Sequence, residues 1–226
     1  MRKLSTDRIS LAQHAGYFNG YPSSIEEHMF QDIAIIGQSC VLPEVNSITE
    51  FAQIIHNGKV VISSPDWDDW RVPVQEFIGG DHSDYIPDHS FTDKGGYVRN
   101  FHSIFKQSEY YRSENDKLDN VFNWSLYCAG ESLKDAGITD QKELKSTGLV
   151  MSNLSYPTRF FAKLSEAYYL KEFLEICRED SPIDARNRFM SGYPARYIRK
   201  QLAIVPIAFA LDSACASSLY AIKYAC

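Results

Sequence analysis

An apolar run of nine residues, Ala203 to Leu211, passes directly into Asp212-Ser213-Ala214-Cys215-Ala216-Ser217-Ser218-Leu219. A short continuous apolar run suits a strand buried on both faces, as in a parallel sheet, and the residues beyond Cys215 carry Leu219, Ile222 and Cys226 at helical spacing. A strand that feeds straight into a helix is the repeating unit of a layered α/β fold, so this junction restricts the chain to that class. It also predicts a thiol at the join. There a cysteine faces unsatisfied backbone N–H groups and the positive end of a helix dipole, both of which favour thiolate. The small neighbours Ala214, Ala216, Ser217 and Ser218 let a carbonyl come close to the backbone, where an amide stabilises the oxyanion of a thioester adduct. A buried core cysteine would look the same locally, and the local residues do not separate the two readings.

The rest of the chain supplies matching elements. Ile33-Ala34-Ile35-Ile36-Gly37 predicts a first buried strand. Ser47-Ile48-Thr49-Glu50 is a capping box, followed by Phe51, Ile54 and Ile55 on one helical face and a stop at Asn57-Gly58. Residues 63 to 115, rich in Asp, Ser, Pro, Gly and aromatics, predict a long surface segment. Asp119 caps a helix that presents Val121, Phe122, Leu126, Ala129 and Leu133 and ends at Gly137. Gly148 to Met151 predicts a second strand, and residues 158 to 177 and 184 to 200 predict helices parted by Ser181-Pro182. Residues 1 to 31 have no sustained period and are expected to form an extension or docking segment.

With 226 residues, of which 44% are hydrophobic and 23% charged, the chain can bury a core, which excludes disorder for most of it. A net charge of -6, with Arg196, Arg199 and Lys200 as the only short basic cluster, argues against nucleic acid as a partner. The longest apolar run, nine residues interrupted by Pro206, is too short for a membrane span, and no secretory signal follows Arg2-Lys3, so a cytoplasmic protein is expected. Five cysteines (Cys40, Cys128, Cys177, Cys215, Cys226) without a C-x-x-C pair argue against a disulfide framework or a zinc site. No cysteine has an arginine six residues later, as a phosphate-binding loop needs. All six histidines (His14, His28, His56, His82, His89, His102) precede Cys215, which gives a papain-like pair no support. His82 and His89 among Asp81, Asp84 and Asp88 have the composition of a solvated loop rather than a metal site. Trp67 and Trp70 are expected to anchor a loop, and Tyr168, Tyr169, Phe173 and Ile176 to serve packing or a dimer interface.

Taken together the motifs resemble the β-ketoacyl synthases. Asp212-Ser213-Ala214-Cys215-Ala216-Ser217-Ser218-Leu219 is similar to that family's nucleophile pattern D-[TSA]-A-C-[SA]-S-S-L. Ile33 to Gly37 with Cys40 and Pro43 resembles its opening strand, and Phe51, Ile55, Gly58 and Ile62 its next helix. Asp93-Lys94-Gly95-Gly96-Tyr97-Val98 resembles the glycine-glycine turn, and Ala129 to Gly137 the E-A-L-x-D-A-G helix end. From Cys215 to Lys223 the likeness is greatest to ketosynthase domains of polyunsaturated-fatty-acid and iterative polyketide synthases. Lys117-Leu118-Asp119-Asn120 replaces the M-D-P-Q of modular polyketide synthases, and Pro206 predicts a bulge before Asp212.

The resemblance implies a thiolase-like layered fold, of which residues 32–226 form an incomplete N-terminal half. It implies acyl transfer from a phosphopantetheine thioester on acyl carrier protein to Cys215, with no bound cofactor and no metal, then decarboxylative condensation driven by two histidines. Those histidines belong to H-G-T-G and N-x-G-H motifs in the remaining C-terminal half, and neither motif occurs up to Cys226. A homodimer is implied for the complete enzyme, and this stretch alone is expected to leave a sheet edge and an apolar face uncovered. The alternatives are a non-catalytic ketosynthase-like remnant or interaction module, and a stand-alone cysteine acyltransferase or hydrolase, which lacks a visible base.

Overall fold

The computed structural model describes residues 33–70, 73–80, 86–154, 165, 168, 169, 191–204 and 206–226. Outside the described residues lie the extension over 1–31, the predicted helix over 158–177 apart from three positions, the first part of the helix over 184–200, Asp81, His82, Asp84, Phe173, Ile176, Cys177 and Ser181-Pro182. All described residues from Ile35 onward belong to one compact unit.

In chain order the elements are α1 (Ile48–His56), α2 (Trp67–Trp70), α3 (Phe101–Gln107), α4 (Asn120–Asp135), α5 (Gln141–Leu144), β1 (Leu149–Ser152), α6 (Gly192–Gln201), β2 (Ala208–Leu211) and α7 (Ser217–Ala225). The α/β class is as expected. Strands β1 and β2 pair in parallel, from Leu149 opposite Ala208 to Ser152 opposite Leu211, and are the sheet among the described residues. Helix α6 packs on α4 and on β2, while α7 lies along β1. Among the described residues no helix is long and apolar enough to cross a membrane.

The core gathers Phe101 and Phe105 from α3, Leu118 from the link ahead of α4, Phe122 and Leu126 from α4, and Tyr197 and Ile198 from α6. Phe101 stacks on Phe105 with ring centroids 5.5 Å apart, and Phe122 meets Tyr197 edge to face at 5.6 Å. Burying each such side chain contributes about 1.5 to 3 kcal/mol. Residues 101 to 107 therefore correct the reading of 63 to 115 as surface: Phe101 and Phe105, spaced i and i+4, put one face of a short helix into the middle of the molecule. The earlier part of that segment is tied down by polar contacts. Trp70 donates its indole N–H to the Tyr97 hydroxyl at 3.0 Å, as expected of a loop anchor, while Trp67 stays exposed.

Three other expectations need correction. Ile33 to Gly37 forms no strand; the two residues that follow it dock on α4, with the Gln38 N–H donating to Asp135 Oδ2 at 2.8 Å and Ser39 Oγ to the Cys128 carbonyl at 2.8 Å. Gly37 sits so close to the Ser132 carbonyl oxygen and Ala136 that a Cβ would overlap both, which is why the run ends in glycine. Ser47 does cap α1, accepting the Glu50 N–H at 3.2 Å, but Phe51 and Ile55 on the apolar face remain exposed. Asp119 occupies the N-cap position of α4 without a side-chain hydrogen bond to the first turn. The C-terminal end is as predicted: Gly137 at φ 72° closes it, with the Ile138 N–H donating to the Leu133 carbonyl at 2.9 Å.

The third predicted strand is half its expected length. Residues 202 to 204 complete the C-terminal end of α6, since the Leu202 and Ile204 amides donate to the carbonyls of Ile198 and Arg199. Pro206, which has no N–H to give, lies just ahead of the ladder, and pairing starts where the Leu149 N–H reaches the Ile207 carbonyl at 2.8 Å.

Candidate active site at the cysteine turn

Strand β2 ends at Leu211, whose carbonyl accepts the Asn153 N–H at 3.2 Å and so extends the ladder one step past Ser152. Asn153 is buried, and its Nδ2 donates to the Ser191 carbonyl at 3.0 Å. The carboxyl ends of β1 and β2 and the start of α6 are thereby joined beside the point where the chain leaves the sheet. That edge of a parallel sheet is where α/β folds place their ligands.

From Asp212 to Ala216 the chain makes a tight turn, with a 3-10 segment at Ala214–Ala216 leading into α7. Ala214 has φ 49°, in the left-handed region that a Cβ disfavours. Polar atoms hold it there. Asp212 Oδ1 accepts the Ala214 N–H at 3.0 Å in an Asx turn, and the Ala216 N–H donates to the Ser213 carbonyl at 3.1 Å. The buried Ser217 hydroxyl accepts the Ser213 N–H at 2.8 Å and donates to the Ala214 carbonyl at 2.7 Å.

Cys215 is the middle residue of this turn and is exposed. It precedes α7 rather than occupying its first turn, so the helix start lies behind the thiol by two residues. Among the described residues no hydrogen bond or ion pair joins its sulfur to another side chain. Two of the described histidines make contacts elsewhere, His102 Nε2 lying 3.6 Å from Asp116 and His89 Nδ1 2.9 Å from the Pro87 carbonyl, and the third, His56, lies in the last turn of α1. Among the described residues no group of three His, Cys, Asp or Glu forms a metal site. An accessible sulfur in a turn of small residues can attack an electrophilic carbonyl brought in from solvent.

The other cysteines have different surroundings. Cys128 is raised in pKa by burial above all, with the neighbouring Cys40 adding to it, and Cys40 is itself raised by burial and then by Glu50. Cys226 is exposed at the end of α7. Helix α7 leaves Leu219 and Ile222 of its apolar face exposed, and Ser217 and Ala221 are its buried residues. Two small side chains at i and i+4 let the helix lie close on the strands. Of the residues expected to serve packing or a dimer interface, Tyr168 and Tyr169 are exposed and meet each other edge to face at 5.2 Å.

Sequence reasoning had counted Ser217 only as small and had passed over Asn153. The signal available for the first was a hydroxyl placed four residues after Ser213, within reach of the turn's own amides. For the second it was a polar residue closing an apolar strand.

The sequence model of the β-ketoacyl synthase N-terminal domain matches residues 30–226. No curated protein matches the chain in sequence. Among solved structures it is similar to a PfaC keto synthase-chain length factor, with a TM-score of 0.73 at 24% identity over 85% of this chain and 22% of that one. It is also similar to the oxazolomycin ketosynthase domain OzmH KS7 of Streptomyces albus JA3453, with a TM-score of 0.60 at 20% identity over 85% of this chain and 30% of that one. A third similar structure is a β-ketoacyl synthase from Burkholderia phymatum STM815, with a TM-score of 0.53 at 16% identity over 84% of this chain and 41% of that one. The chain thus spans between 22% and 41% of the length of these structures.

Proposed function

Since this chain belongs to the β-ketoacyl synthase family, whose N-terminal domain it carries over residues 30–226, we propose that it is the nucleophile-bearing part of a condensing enzyme with Cys215 as acyl acceptor. Its fold is the thiolase-like α/β fold of the ketosynthases. The observation that carries the proposal is the exposed Cys215 thiol at the crest of a strained turn between β2 and α7.

In the proposed step the Cys215 sulfur attacks the carbonyl carbon of an acyl thioester on the phosphopantetheine arm of an acyl carrier protein. A carbon–sulfur bond to Cys215 forms, the carbon–sulfur bond to the arm breaks, and the cysteine proton leaves with the departing thiol. No bound cofactor takes part. Decarboxylative condensation in fatty-acid or polyketide elongation then needs a base and charge-stabilising groups from the remaining ketosynthase half, in a homodimeric enzyme. Within this proposal residues 32–226 are the synthase domain and 1–31 an extension.

The test is acylation followed by intact-protein and peptide mass spectrometry, with an acyl-carrier thioester as donor. The acyl group is expected on Cys215 ahead of Cys226, the other exposed thiol among the described residues, and Cys215→Ser should abolish it while leaving Cys226 labelling unchanged. Equal labelling of the two thiols would remove the assignment.

A further inference from the structure

Ser217 is the first residue of α7, yet its hydroxyl does nothing for that helix. A serine at a helix start ordinarily accepts an N–H from the turn ahead of it. Here the N-cap position belongs to Ala216, which offers no side-chain cap, and the Ser217 hydroxyl turns backwards to Ser213 and Ala214. Its two hydrogen bonds, of 2.8 and 2.7 Å, go to the Ser213 N–H and the Ala214 carbonyl, and so clamp the two residues between them. Ala214 is the residue of the turn with φ 49°. Asp212 grips the same residue from the strand side through its N–H. Left-handed alanine relaxes to a right-handed or extended conformation unless something opposes it. Relaxation would rotate the peptide planes on which Cys215 is mounted.

We propose that Ser217 is a positioning residue for Cys215: its hydroxyl holds the turn so that the thiol and the Cys215 N–H face an incoming thioester carbonyl together, the Ser213, Ala214 and Ala216 amides being taken up within the turn itself. The inference rests on the reading of Cys215 as acyl acceptor. It separates two reactions of one thiol. Acylation by a thioester passes through an oxyanion that the Cys215 N–H must meet, whereas alkylation by iodoacetamide displaces iodide and forms no oxyanion.

The experiment compares both rates at Cys215 in the wild-type chain, Ser217→Ala and Ser217→Thr, using an acyl-pantetheine thioester and iodoacetamide. Ser217→Ala should slow acylation by about tenfold, the order expected when a reacting group is misplaced by part of an ångström. Alkylation should be unchanged, and Ser217→Thr, which keeps a hydroxyl, should recover acylation. Labelling of the half-buried Cys128 in the same samples reports any general loosening. The inference is overturned if Ser217→Ala acylates like wild type, if both reactions fall together, or if Ser217→Thr is no better than Ser217→Ala. Failure of wild-type Cys215 to acylate in preference to Cys226 would instead remove the acceptor reading, and this inference with it.

Discussion

The phenol ring of Tyr110 lies directly over Gly130 in α4, so close that a Cβ at position 130 would overlap ring carbons and the hydroxyl. Its hydroxyl donates to Glu131 at 3.3 Å, and burial, followed by the charge of Glu131, pushes the phenol above the usual tyrosine range. Helix propensity alone would make Gly130→Ala favourable by about 1 kcal/mol. Overpacking costs about 1 to 3 kcal/mol, so the single substitution should be destabilising. In a Tyr110→Ala background the ring is gone and the same substitution should become stabilising. Urea denaturation of the four proteins checks this change of sign.

Asn115 is almost fully buried, and its Nδ2 donates to Asn123 Oδ1 at 2.9 Å and to the Tyr197 hydroxyl at 3.0 Å. Together with the Asn123 Nδ2 bond to the Asn115 carbonyl at 3.1 Å, this fastens the 3-10 turn at Ser113–Lys117 to α4 and α6. Tyr197→Phe removes an acceptor without removing the ring, and should cost about 1 to 2 kcal/mol by leaving a buried donor short of a partner. A thermal melt showing no loss would mean that water replaces the hydroxyl.

Asp69 should make stability depend on pH. Burial by itself would raise its pKa, but the hydrogen bonds from the Asp66 N–H and the Arg99 guanidinium outweigh this and hold it below the usual carboxylate range. A carboxyl depressed in the folded state adds stability above its unfolded pKa, about 3.9, and loses it as pH falls through the folded value. Asp69→Asn should therefore lower the denaturation midpoint at pH 7. The difference from wild type should shrink below the ordinary aspartate range. A constant difference across that range would refute the ion pair with Arg99 as its cause.

Ala214→Gly removes the Cβ that makes φ 49° unfavourable. The gain in folded stability should be about 1 kcal/mol, offset in part by a freer unfolded chain. A bulky β-branched residue at the same place, as in Ala214→Val, should instead destabilise. Chemical denaturation of the pair reads both signs.

Local chemistry made some elements readable in advance. Ser47 with Glu50, and Gly137 after α4, act within a few residues of themselves, so their roles could be read from spacing. The junction from β2 to α7 could be read for the same reason, and its motif carried the family with it. Partnership across the chain was invisible. Nothing in Ile33 to Gly37 says that it would stay unpaired, or that the Gln38 N–H and the Ser39 hydroxyl beyond it would turn to Asp135 and Cys128. Phe101 and Phe105 were masked by a polar, glycine-rich neighbourhood, although their spacing was helical. At the site, the identity of Cys215 was legible, whereas the service of Ser217 and Asn153 depends on where their polar atoms point.

The parallel pairing of β1 with β2 joins Leu149 to Ala208, 59 positions later in the chain. Such a closure confines a long loop before any ladder contact repays it, and slows folding accordingly. Because the turn that carries Cys215 hangs from the last residue of β2, it acquires its shape only after that crossover has closed. During refolding, reactivity of Cys215 toward thioesters should lag behind helix formation, making it a stopwatch for the assembly of the sheet.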